Sequence, residues 1–208
     1  GELIASDSVG IESISNDKPI IFQFGSITVT WTVTDTSGNT SQATQVVTII
    51  DTTAPDVSAP SNIVAEATNL SNNEVTLGDA TVYDIMSVES ITNDAPEFFP
   101  VGETIVTWTA TDSSGNSSTA TQTVTIIDTT APELTVPENV TIAAFSLEKE
   151  VDVGVALTSD LVDSIPTVTN NAPETFPLGD TLVTWSVSDE FGNSASYEQV
   201  ISVQPCGE

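Results

Sequence analysis

The chain has 208 residues, 30 Asp and Glu against two Lys (Lys18 and Lys149), no His and a net charge of −28. A surface so short of cationic side chains argues against nucleic acid as a partner, because phosphate is neutralised by Lys and Arg, and an anionic bilayer would repel it. With no His and a single Cys206, a zinc cluster and an intrachain disulfide are excluded as well.

In chain order, one pattern returns every 77 residues. Trp31 lies in "VTWTVTD", Trp108 in "VTWTATD" and Trp185 in "VTWSVSD", and Gly38, Gly115, Gly192 and Gln45, Gln122, Gln199 keep the same spacing. "TIIDTTAP" stands at 48–55 and again at 125–132. A fixed period of this length marks an array of similar modules. Residues 1–53 are expected to be the C-terminal part of one module whose first strands are missing, and 54–130 and 131–208 to be complete modules. Completion of 1–53 would come from upstream sequence or from a strand donated by another chain. The apolar stretches are short and broken by Thr or Asp, so this segment is expected to make no membrane insertion. A targeting segment would lie upstream.

Within each module Val106, Trp108 and Ala110, and their counterparts, alternate with Thr, the period-two mark of a half-buried strand. "DSSGN" (112–116) supplies a Gly-containing turn, and "TATQTVTII" resumes the alternation, which together predict a hairpin. "NEVTLGDATVYD" and "ELTVPENVTIAA" read as further strands, with Pro60 and Pro137 at an edge or bend because a central strand cannot spare the N–H. "FSLEKEVDVG" is expected to form a short turn. About seven short strands per module, with one Trp per core, give an all-β chain of tandem immunoglobulin-like β-sandwiches joined by short linkers.

The run "NDAPEFFPVGETIVTWTATDSSGNSSTATQTVTIIDTTAP" (93–132) resembles the hyalin repeat, an immunoglobulin-like extracellular module. The resemblance rests on "FPVG" (99–102), the Trp strand, "GN" and "DTTAP". "FPLG" (176–179) repeats the corner, whereas "FQFG" (22–25) has Gln in place of Pro. It implies a non-catalytic, adhesive or structural role outside the cell.

The three Trp share a phase with Val29, Val106 and Val183 and are expected in the core. Gln45, Gln122 and Gln199 are expected to be amides tying neighbouring backbone groups. Asp35, Asp112 and Asp189 are placed to cap the Gly-Asn turn. Sandwich topology brings that turn to the end where the preceding linker arrives. Asp51 is therefore expected near Asp84, Asp112 and Asn116, and Asp128 near Asp189, Asn193 and one of Asp160 and Asp163. Oxygen ligands converging in this way suit calcium; the alternative is a merely solvated acidic surface. "TNDAPEFF" is not read as a calcium site, because the third copy has Asn171 where Asp94 stands. Sequons at Asn39, Asn69, Asn116 and Asn139 are candidate glycan acceptors. Cys206 is either an incidental thiol or half of a bond to something outside the segment.

The expected function is that of a stiff array in an extracellular cell-surface protein, such as a surface layer, adhesin or fibre, with other copies or neighbouring domains as partners. The rival is an accessory spacer or glycan-binding module of a larger secreted enzyme, which would need an exposed aromatic platform from Tyr83, Phe98 and Phe99. An enzyme in its own right would have only carboxylates for acid–base work. The most recognisable of these recur once per module, so no catalytic residue is assigned.

Overall fold

The structure, a computed structural model, describes residues 3–206, and every regular element in them is a β-strand. In chain order these are β1 (Ile11–Asn16), β2 (Gly25–Asp35), β3 (Thr40–Ile49), β4 (Asp56–Ser58), β5 (Ile63–Glu66), β6 (Thr81–Tyr83), β7 (Val88–Asn93), β8 (Gly102–Asp112), β9 (Ser117–Ile127), β10 (Glu133–Thr135), β11 (Val140–Ala144), β12 (Glu148–Lys149), β13 (Leu157–Ser159), β14 (Thr167–Asn170), β15 (Phe176–Pro177), β16 (Gly179–Ser188) and β17 (Ser194–Pro205). They fall into two compact units. The first comprises Gly1–Val57, Val82–Ile91 and Thr109–Ser118, and the second Ser58–Thr81, Thr92–Trp108 and Thr119–Glu208.

The first unit carries the antiparallel sheet β1-β2-β3. Its long hairpin pairs Val29 with Gln45 and Trp31 with Ala43, and it turns at Gly38, whose φ of +84° suits Gly alone. Val29 is buried, but Trp31 is only half-buried and Gln45 is exposed. The expectation of three equivalent core tryptophans therefore fails at Trp31. Alternation fixes which face of β2 the indole occupies; its burial depends on what packs over that face.

In the second unit the sheet β11-β17-β16-β14 is joined by the short pairs β10-β13 and β12-β15. The hairpin β16–β17 pairs Val183 with Gln199 and Trp185 with Tyr197, the register of the first hairpin two periods on. Residues 63–127 carry the sheet β5-β9-β8-β7. β5 runs parallel to β9 with Ile63 opposite Val124, and β11 runs parallel to β17 with Val140 opposite Ile201, again 77 residues apart. Pro60 and Pro137 fall outside the strands, in the irregular segments before β5 and β11. The stretch read as a short turn instead holds β12, which pairs with β15. Its backbone takes a sheet partner because the "FPLG" corner offers an edge.

Two apolar cores result. One gathers Phe99, Val106, Trp108, Val124 and Ile126, and the other Phe176, Val183, Trp185, Val187, Ile201 and Val203. Phe99 and Phe176, the corner residues, are almost fully enclosed. Each buried aromatic or branched side chain contributes about 1.5–3 kcal/mol relative to exposure. Polar groups inside the cores are paired: Trp108 Nε1 donates to Gln122 Oε1 at 3.2 Å, and Gln122 Nε2 donates to the carbonyls of Ser61 and Leu77 at 2.8 and 3.0 Å. Trp185, Gln199, Glu138 and Val153 repeat the arrangement.

Candidate cation site

The repeated turn is built by its first residue. Asp112 ends β8, and its Oδ1 accepts from the backbone N–H groups of Ser114 and Asn116 at 2.8 Å, while Oδ2 accepts from Asn116 Nδ2 at 2.8 Å. Asp35 with Asn39 and Asp189 with Asn193 make the same bonds. An Asp there satisfies three donors with one side chain, which is why the turn keeps Asp at its head and Asn at its end.

In the first unit Asn116 Nδ2 also donates to the Asp51 carbonyl at 3.2 Å. That bond, with one from Ser118 Oγ to the Pro55 carbonyl, holds the incoming "DTTAP" segment against the turn. Asp51 is thereby brought to Asp112, and Asp84, the first residue after β6, completes a cluster. One carboxylate oxygen from each of Asp51, Asp84 and Asp112 lies within 4.8 Å of the others. Asp112 is fully buried and the other two are half-buried. Asp51 Oδ1 accepts from Thr53 N and Asp84 Oδ1 from Met86 N, whereas Asp51 Oδ2 is buried without a partner among the described residues. Burial opposes the charge on Asp112, but the Asn116 amide and the N–H groups of the turn outweigh it and hold the carboxyl below its ordinary value. Three oxygen ligands at this separation suit a hard cation.

In the second unit Asn193 Nδ2 donates to the Asp128 carbonyl at 3.2 Å, the counterpart of the Asn116 bond. Asp128 is 8% exposed, with Oδ1 accepting from Thr130 N and Oδ2 buried without a partner among the described residues. Burial, joined by the charges of Asp160, Asp189 and Glu66, pushes its carboxyl above the ordinary value. Of the two acids expected here, Asp163 has both oxygens engaged, by the N–H groups of Ile165 and Glu190. Asp160 has only Oδ1 engaged, by Val162 N and Asp163 N at 2.7 Å. A further acid, Glu66, escapes the sequence pattern. Its two oxygens accept from Thr129 N, Thr129 Oγ1 and Thr130 Oγ1, all within 3.0 Å.

Asp94 is not a member of the Asp51, Asp84 and Asp112 group; its Oδ1 accepts from Thr107 N at 2.6 Å. Among the sequons, Asn69 and Asn139 are exposed with no bond from Nδ2 to the described residues, whereas Asn39 and Asn116 spend Nδ2 on their turn Asp. Cys206 is a half-buried free thiol. Tyr83 is exposed, but Phe99 is 2% exposed and belongs to a core, so the three aromatics make no common platform.

The sequence profile of the HYR domain matches residues 50–126 and 127–203, and the chain belongs to that family. It is 32% identical to "Hyalin" of Strongylocentrotus purpuratus, aligning 97% of this chain with 18% of that protein, and 32% identical to "Hyalin" of Lytechinus variegatus, aligning 93% with 39%. It thus spans well under half the length of either relative. Among solved structures it is similar to Protocadherin Gamma B7 extracellular cadherin domains 1–4 at 11% identity, covering 93% of this chain and 67% of that one with a TM-score of 0.34. Sidekick-1 immunoglobulin domains 1–5 match at 13% identity, covering 85% of this chain and 46% of that one with a TM-score of 0.36.

Proposed function

We propose that the chain is a non-catalytic, structural and adhesive stretch of an extracellular cell-surface protein, a tandem array whose joints are stiffened by calcium. The observation that carries this reading is the cluster of Asp51, Asp84 and Asp112, with carboxylate oxygens within 4.8 Å of one another where a "DTTAP" linker meets the next turn. Membership of the HYR family and similarity to the hyalins over nearly the whole chain support placing it outside the cell. The distribution of acids supports it too: Asp35, Asp112 and Asp189 are each spent on closing the same turn. In this reading its partners are other copies or neighbouring domains of the same surface protein.

The test is thermal unfolding of the chelator-stripped chain with and without millimolar calcium, alongside small-angle scattering. A rise in Tm of several degrees and a longer, less variable particle with calcium are expected. Identical melting and scattering in the two conditions would overturn the calcium-stiffened array.

A further inference from the structure

We propose that the outer edge of β3 is a docking site for one extended strand of a partner polypeptide, laid parallel to β3 and carrying an Asn followed by alternating apolar residues. The proposal rests on the adhesive reading above, since it specifies how a partner is held, and it is independent of calcium.

The observation is a difference between equivalent positions of one chain. Among the described residues β3 pairs with β2 alone, whereas β9 and β17, its counterparts one and two periods on, each carry a parallel strand on the other edge, β5 and β11. Exposure follows the same division. Ile49 is 36% exposed, against 1% for both Ile126 and Val203. Val47 is half-buried where Val124 and Ile201 are fully enclosed, and Gln45 is exposed where Gln122 and Gln199 are fully enclosed. An unpaired strand edge beside a bare apolar row is a template for a further strand, and main-chain bonds with alternate side chains in pockets are how such a strand is recognised.

The two complete modules define what the strand must be. Ile63 lies opposite Val124 and Val140 opposite Ile201, which places the partner's first apolar residue opposite Val47. Ala65 and Ile142, two residues on, lie opposite Ile126 and Val203, the counterparts of Ile49. The residue before the first apolar one is Asn in both cases: Asn62 Oδ1 accepts from Thr123 N at 2.9 Å and Asn139 Oδ1 from Val200 N at 2.8 Å. Val46 N is the equivalent donor on β3.

Gln45 is already set for the same task. Its Oε1 holds Trp31 Nε1 at 3.1 Å, as Gln122 holds Trp108, but its Nε2 meets no acceptor among the described residues. Gln122 Nε2 and Gln199 Nε2 each donate to two carbonyls of the segment that covers them. A second copy of this chain is not the source of the strand, because its two Asn-led strands, β5 and β11, are committed to β9 and β17.

The experiment is fluorescence and calorimetric titration of the full chain with a synthetic peptide copying residues 54–78, which contains Asn62 and both carbonyls bonded by Gln122. Chelator is present throughout, and about 1 M salt shortens the Debye length to about 3 Å, which screens the like charges of peptide and chain. Saturable binding with a blue shift of tryptophan emission is expected. Trp108 and Trp185 are already enclosed, so the shift belongs to Trp31 and should vanish in Trp31→Phe. Gln45→Leu in the chain, its folding verified by circular dichroism, and Asn62→Ala in the peptide should each weaken binding about five- to tenfold, the worth of one or two hydrogen bonds. Absence of binding, or equal binding of a peptide of scrambled sequence, would overturn the proposal. So would sedimentation showing that the chain alone is a dimer with Trp31 enclosed, since a second copy would then cover this edge. The calcium melting experiment is run without peptide, so either reading can fail while the other stands.

Discussion

The indole Nε1 of Trp108 donates to Oε1 of Gln122, which is 0% exposed, and the same amide donates to the carbonyls of Ser61 and Leu77. One side chain thus pairs with three polar groups from three segments of the chain, of which Trp108 is buried, Leu77 half-buried and Ser61 exposed. In the first unit Trp31 Nε1 donates to Gln45 Oε1 at 3.1 Å, but Gln45 is exposed.

The two glutamines should therefore differ in cost when removed. Gln122→Leu leaves the buried Trp108 indole N–H without its acceptor and should destabilise by about 1–3 kcal/mol. Gln45→Leu leaves groups that water reaches and should cost under about 1 kcal/mol. Urea unfolding followed by tryptophan fluorescence measures both. Equal shifts in midpoint would show that the Gln122 bonds have no special weight.

The 77-residue period made the Trp–Gln pair legible in the sequence, because both residues keep phase with apolar neighbours on paired strands. Trp31 shows where that logic stops. Its heptapeptide nearly matches that of Trp108, yet burial depends on packing that a local pattern cannot express. The acidic clusters were legible as far as the linker and turn are periodic. Counting one period on from Asp84 reaches Leu161, since the loop after β13 is offset by one residue; the end of the strand, not the count, identifies Asp160. Glu66 was missed because its counterpart one period on is Ala143, so nothing in the repeat marked it. The orphaned Oδ2 of Asp128 is a property of packing alone.

Acid titration should separate the turn aspartates from ordinary surface carboxylates. The Asn39 side chain, then its backbone N–H and those of Ser37 and Gly38, hold Asp35 below the ordinary value of 3.8 against the opposing effect of burial. A carboxyl depressed in the folded state adds stability that is full above its unfolded value and disappears as pH falls through its folded value. The loss from this turn should therefore occur below about pH 4. Carbon-detected NMR should place Asp35 below 3.8, and Asn39→Ala should move it upward. An Asp35 that titrates normally in the parent would contradict the hydrogen-bond assignment.

Glycan occupancy follows from where each Nδ2 is committed. Attachment needs that nitrogen, and in Asn116 it is spent on Asp112 Oδ2 and the Asp51 carbonyl. Asn69 and Asn139 are exposed and use only Oδ1 for the N–H groups of Ser71 and Val200. Expressed in a host that N-glycosylates, the chain should carry glycan at Asn69 and Asn139 in preference to Asn116, as peptide mapping after glycosidase treatment will show. Full occupancy at Asn116 would mean that the turn is not closed when the glycan is added.

The exchange of Asp94 for Asn171 between repeats has a direct physical reason. Asp94 Oδ1 accepts from Thr107 N at 2.6 Å, and Asn171 Oδ1 accepts from Thr184 N at 2.7 Å. The position needs one acceptor oxygen and no charge, which an amide supplies as well as a carboxylate. Asp94→Asn should therefore change stability by less than about 0.5 kcal/mol, whereas Asp94→Ala, which leaves the Thr107 N–H without its acceptor, should cost about 1 kcal/mol. Neither change should alter calcium binding, since Asp94 is not a member of the Asp51, Asp84 and Asp112 group. A D94N chain as unstable as D94A, or one with weakened calcium binding, would show that the charge at this position matters and would reopen the "TNDAP" segment as a cation ligand.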